Sequence, residues 1–130
     1  MVDVTFYKDP GKRILNPDLF YKTAQHLAED FAKADEKFNK RSQLRKFYDE
    51  VLRLNEIAKS NDDEWENFFP YVNMLIAKAT YAQGRKLVTD DFVDFIKKSI
   101  DQIHSAKDLD VFANLFEAFM GFYRKYRQSN

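Results

Sequence analysis

Cysteine is absent from this chain. Disulfide bonds, thiolate metal sites and cysteine nucleophiles are therefore excluded, and the absence fits a reducing compartment. Glycine and proline are scarce, three of each in 130 residues. An all-β fold of this size needs many more turn residues than that. No apolar run approaches the ~20 residues that span a bilayer, and the opening MVDVTFYKDP lacks the apolar stretch of a secretory leader. The expectation is a soluble cytoplasmic protein with no membrane contact. Neither sign of charge prevails: 21 Lys and Arg balance 21 Asp and Glu, so there is no global positive field to draw the molecule onto nucleic acid.

What the chain does have is apolar and aromatic mass. Hydrophobic residues make up 45%, and aromatics 16%, with thirteen Phe and seven Tyr. That is enough for one packed domain and argues against disorder. So large an aromatic load belongs either in a core or on a binding face.

Residues 1–15 alternate weakly at Val2, Val4 and Phe6, then reach the turn signal Asp9-Pro10-Gly11. This stretch reads as a short extended arm, open to movement, ahead of a single helical domain over 16–130. Asn16-Pro17 is a helix start, and Leu19, Phe20, Ala24, Leu27, Ala28 and Phe31 follow at helical spacing. Ser42 is placed to cap a second helix running to about Lys59, with Leu44, Phe47, Tyr48, Val51, Leu54 and Ala58 as its stripe. Asp62, Asp63, Glu64 and Glu66 suit the positive end of a third helix, which Pro70 should kink or divide. Val72, Leu75, Ile76, Ala79 and Ala82 continue the pattern and Gly84 loosens its end. Thr89 caps a fourth helix, and Ser105 or Asp108 opens a fifth. The apolar residues of the fifth, from Leu109 to Tyr126, cover more than half its circumference. It is therefore either central to a bundle or buried by a second subunit, in which case the isolated chain forms a homodimer. The fold class is all-α, a compact bundle of five to six helices.

Catalytic and metal chemistry find little support. His26-x-x-Glu29 and Asp101-x-x-His104 each place two ligand types on one helix face. A helical di-metal site wants two Glu-x-x-His units and two more inward carboxylates, and neither the order nor the residues fit. There is no phosphate loop, nucleotide fingerprint or supported nucleophile set. The expectation is a protein that is not an enzyme and needs no cofactor.

The arrangement of charge says more than its total. Residues 37–46 hold Lys37, Lys40, Arg41, Arg45 and Lys46 and no acid; 60–66 hold four acids and no base. Lys78, Arg85 and Lys86 form another basic block, and Arg124, Lys125 and Arg127 a third. A neutral chain with segregated charge can still present a basic face. On a helical wheel Arg45 and Gln43 flank the buried stripe and Lys46 points away. Arg45 either meets a phosphate, its stem lying on Tyr48 and Leu52, or pairs with Asp49 one turn on. On the third helix Tyr71, Met74, Lys78, Tyr81 and Arg85 make one stripe opposite the apolar one. Aromatics interleaved with cations suit a single strand of nucleic acid; the other reading is that the tyrosines pack against a neighbouring helix.

SQLRKFYDEV at 42–51, YAQGRKL at 81–87 and FEAFMGFYRKY at 116–126 resemble the small helical subunit of type III-A CRISPR effector (Csm) complexes, from about residue 19 to 126. The resemblance implies a non-catalytic antiviral-defence subunit. Several copies would stack beside backbone and large subunits, along the channel where guide RNA pairs with target single-stranded RNA. The nucleic-acid-binding residues it implies are Arg41, Arg45, Lys46, Lys78, Arg85 and Lys86 near the matched motifs, with Arg124, Lys125 and Arg127 at the C-terminus. The stripe on the third helix adds Tyr81. The alternative is a purely structural subunit whose cations meet acidic protein patches.

Overall fold

The computed structural model describes residues 2–128; Met1 and residues 129 and 130, the last of the expected domain, lie outside the described residues, as does the side chain of Asp62. A two-stranded antiparallel hairpin comes first, β1 (Tyr7–Asp9) and β2 (Ile14–Leu15), with Tyr7 opposite Leu15. A π-helical turn at Leu19–Thr23 feeds α1 (Ala24–Ala32). Then come α2 (Arg41–Ser60), a short 3-10 turn at Asp62–Glu64, α3 (Trp65–Gly84), α4 (Asp90–Ile100) and α5 (Ala106–Tyr126). The all-α expectation holds, with five α-helices among the described residues.

Helix α5 is the axis of the bundle. Phe112, Leu115, Phe116, Phe119 and Tyr123 are completely buried, because the rest of the chain surrounds them. Helices α1 and α2 pack along α5. From α4, Phe95 reaches Phe112, Phe116 and Phe119 at ring separations of 5.8, 5.5 and 5.9 Å. Edge-to-face and offset contacts of this kind add to simple area burial. The broad apolar face that required either a central position or a second subunit is covered from within.

The N-terminal segment helps to cover it. Val2, Val4 and Phe6 are buried, and Phe6 stacks 6.4 Å from Phe112. Extended backbone laid on a helical core leaves its N–H and C=O groups without a sheet partner, and buried groups of this kind must find one. Side chains supply it. The Gln102 amide accepts from the Phe6 N–H at 2.7 Å and donates to the Val4 carbonyl at 2.8 Å, while Lys98 Nζ donates to the Val2 carbonyl at 2.6 Å. The segment is extended, as expected, but its residues 2–6 are laid into the core rather than standing off it as an arm, while residues 10–15 are exposed. The alternation Val2, Val4, Phe6 is that of one face of an extended chain packed on α4 and α5.

Two local expectations are corrected. Ser42 does not cap α2: Lys40 occupies the cap position with no side-chain bond, and Arg41 already lies inside the helix. The chain enters α2 through Asn39, whose φ of 54° is a left-handed conformation that asparagine tolerates. Of the kink or division expected at Pro70, division does not occur: α3 is helical from Trp65 to Gly84, and the single amide hydrogen bond that proline removes is tolerated near the helix start. Thr89 and Ser105 do cap α4 and α5, accepting from the Phe92 and Asp108 amides.

Asn39 is also the knot of the fold. Its amide donates to the Phe31 carbonyl and Thr89 Oγ1 and accepts from the Thr89 N–H. Its carbonyl accepts from the Tyr123 hydroxyl at 2.6 Å. The loop before α2 is thereby fixed to the loop before α4 and to α5. Burial pushes the Tyr123 phenol up to about 12, Arg127 opposing.

Candidate nucleic-acid interface

Helix α2 is anchored by Leu44, Phe47, Val51 and Leu54. Burial of that face turns its basic N-terminal half to the surface between α3 and α5, and the cations divide between two grooves. On the α3 side, Gln43 and Lys46 line a groove with Lys78, Tyr81 and Arg85. Lys46 is exposed, turned away from the buried stripe as the wheel predicts, and it still lines this groove because α3 lies beside that part of α2. On the α5 side, Arg41, Ser42 and Arg45 share a shallow concavity with Arg124 and Met120. Arg45 and Lys46, adjacent in sequence, link the two along the outer edge of α2.

Local pairing modulates this charge. Lys78 Nζ lies 2.9 Å from Glu50 Oε2, a carboxylate in the groove floor. Glu50 is held twice more by Arg53, at 2.9 and 2.8 Å. The Arg53 hydrogen bonds, against partial burial and with help from Lys78, bring the Glu50 carboxyl down to about 2. Arg45 pairs with Asp49 at 3.2 Å and lies 5.6 Å from the Tyr48 ring centre. Both partners are more than 60% exposed, and exposed pairs of this kind contribute at most about 1 kcal/mol. The ion pair foreseen as the alternative for Arg45 is therefore present, and it is weak enough to exchange. Arg41 donates to the Gln128 carbonyl at 2.8 Å.

The remaining expected residues separate by role. Arg85 caps α3 with its guanidinium carbon 5.9 Å from the Tyr81 ring centre. Lys86, at φ 62°, sits where a helix normally ends in glycine: the Leu87 amide bonds the Ala82 carbonyl and the Lys86 amide bonds Gln83, the pattern of a Schellman cap. Lys125 stands over Tyr126 and lines a separate concavity with Lys37 and Lys40. Arg127 is buried, and its guanidinium donates to the carbonyls of Ala32, Ala34, Asp35 and Phe38. Its charge is spent on the end of α1 and the loop beyond, so it is not available at the surface.

Helix α3 buries Val72, Leu75, Ala79 and Ala82 and leaves the opposite side to solvent. Tyr71, Met74 and Tyr81 are 60%, 51% and 67% exposed. No helix among the described residues covers these tyrosines, so packing of this kind would need a helix of another subunit. Tyr71 and Met74 stand outside the set that the motifs picked out; their signal was the same period as the apolar stripe, half a turn out of phase.

His26 Nε2 faces Asp30 at 3.3 Å on an exposed surface, and no group of three or more potential metal ligands occurs among the described residues. No helix among the described residues is long and apolar enough to cross a membrane.

A family model described as Csm2 Type III-A matches residues 15–129. The chain belongs to the Csm2 type III-A family. As a Csm2-family protein it is a small subunit of a type III-A CRISPR effector complex, associated with other Csm subunits. The match begins at the second hairpin strand and runs through all five helices, so both grooves beside α2 and the exposed side of α3 fall within it. No curated protein and no solved structure matches the chain.

Proposed function

We propose that this Csm2-family chain is a non-catalytic, cytoplasmic subunit that holds RNA in the effector complex without reading its sequence, through backbone phosphates along the basic edge of α2. The observation that carries this reading is the meeting of Lys46, Lys78, Tyr81 and Arg85, from two different helices, in one groove. Arg41, Arg45 and Arg124 on the other flank of α2 extend the same edge. Guanidinium forks and ammonium groups carried on rigid helices suit phosphate oxygens. A neutral molecule that meets both protein neighbours and RNA needs a local strip of this kind and no global charge. Guide RNA and target RNA present the same backbone chemistry.

The test is binding of the purified full-length chain to labelled single-stranded RNA across a salt series. Affinity is expected to fall with salt, by a slope of about −0.7 per phosphate contacted. Lys46→Glu with Arg85→Glu is expected to weaken binding at least tenfold while leaving the melting temperature unchanged. Unaltered affinity in that double variant would remove this face from the RNA path.

A second reading, a structural subunit whose cations contact acidic protein surfaces, is favoured by one observation: Lys78 and Arg45 already accept carboxylate partners. Crosslinking within the assembled complex separates the two. RNA adducts on α2 and α3 support the first reading, and protein adducts alone support the second.

A further inference from the structure

Phosphate contacts leave the outer side of α3 unexplained. Tyr71 and Tyr81 are among the most exposed large side chains of the molecule, and Met74 lies between them. At 100° per residue, Tyr71, Met74, Lys78, Tyr81 and Arg85 fall within about 80° of the helix circumference. At 1.5 Å rise per residue the two tyrosines are about 15 Å apart along the axis, with Lys78 about 4.5 Å before Tyr81 and Arg85 about 6 Å beyond it. Two aromatic faces, a polarizable thioether and two cations thus alternate along one rigid ridge. Burying such side chains against a protein would require a partner with matched carboxylates, whereas an unpaired nucleic acid strand carries both complements in every residue, a flat base and a phosphate.

We propose that Tyr71 and Tyr81 are stacking platforms for unpaired bases of an RNA strand whose phosphates run past Lys78 and Arg85. This rests on the RNA reading above and extends it from backbone contact to base contact. The local chemistry permits it. Arg85 already lies over the Tyr81 ring, so a base there meets both an aromatic face and a guanidinium plane. Lys78 is free to exchange its carboxylate for a phosphate, because Glu50 keeps both hydrogen bonds from Arg53. Met74 fills the apolar gap between the rings and adapts to whatever base edge lies over it. Stacking of this kind favours single strands over duplex, since paired bases have no free face, and tolerates any sequence.

The experiment uses the full-length chain with three labelled probes: a uridine 20-mer, the same strand with abasic positions, and the same strand annealed to its complement. Tyr71→Ala and Tyr81→Ala are each expected to weaken binding of the intact single strand by about tenfold, as for other base–aromatic stacks, without changing the salt slope. Tyr71→Phe and Tyr81→Phe should restore it, because the ring and not the hydroxyl is used. The abasic and duplex probes should bind weakly and be indifferent to the tyrosine variants. If the alanine variants bind the intact strand normally while Lys46→Glu with Arg85→Glu does not, the platforms are wrong and the phosphate reading stands. If the alanine variants keep RNA affinity but fail to enter the effector complex, the ridge is a protein contact and the proposal is overturned. If the unaltered chain shows no RNA affinity, both readings fall together.

Discussion

At Lys86 the chain places a lysine where backbone geometry asks for glycine. Its φ is 62°, and a side chain in that conformation costs roughly 1 kcal/mol that glycine avoids. Two residues earlier Gly84 lies inside the helix, with open space where a Cβ would go. Helical glycine is itself unfavourable by a comparable amount. Lys86→Gly and Gly84→Ala are each expected to stabilise the fold by about 0.5–1 kcal/mol, visible as a rise in melting temperature, and the first should also weaken RNA binding. A stability gain coupled to a binding loss would mark Lys86 as kept for its charge. Gly84 is a natural sequence guess for a loosened helix end, but the left-handed residue that ends α3 lies two positions on, and no local propensity singles out a lysine for it. Asp108 is a second residue that departs from its usual surroundings. It is buried and accepts from the Tyr7 hydroxyl at 2.5 Å, the His104 amide at 2.8 Å and Arg13 at 3.0 Å. Burial alone would raise its carboxyl; these three donors outweigh it and hold the group below its ordinary value. A depressed carboxylate contributes stability that is present at neutral pH and lost as pH falls below about 4. Asp108→Asn is expected to cost about 2 kcal/mol at pH 7 and to flatten the acid limb of a stability–pH curve, measured by urea unfolding between pH 3 and 7.

Among the elements, helices announced themselves best where buried residues recur at helical spacing, with or without a cap. The stripes of α2, α4 and α5 were legible because Leu44, Phe92, Phe116 and their neighbours recur every three or four residues and tertiary packing reinforces local preference. The N-terminal segment was half legible. Its alternation at Val2, Val4 and Phe6 was visible, but its partners are Gln102 and Lys98, almost a hundred residues away, and side chains that satisfy a distant backbone leave no periodic trace. The cationic grooves were legible as blocks of charge but not as shapes. Periodicity placed Arg45 and Lys46 on α2; only the position of α3 decides which of them faces Lys78. Arg127 illustrates the opposite case. It looks like one more C-terminal cation, yet the carbonyls it gathers from the end of α1 and the following loop come from a segment that no helical wheel includes.

For the molecule as a whole, the enclosed position of α5 removes the apolar surface on which the expected homodimer depended. Light scattering of the isolated chain at micromolar concentration is expected to give a monomer of 15.5 kDa; a dimer that survives dilution would require an interface elsewhere than α5. The same arrangement has a consequence for biosynthesis. Phe6 rests on Phe112, and Lys98 and Gln102 hold the backbone of residues 2–6. A ribosome delivers the first of these residues long before the last, so the opening segment must wait, bare and greasy, until nearly the whole polypeptide has emerged.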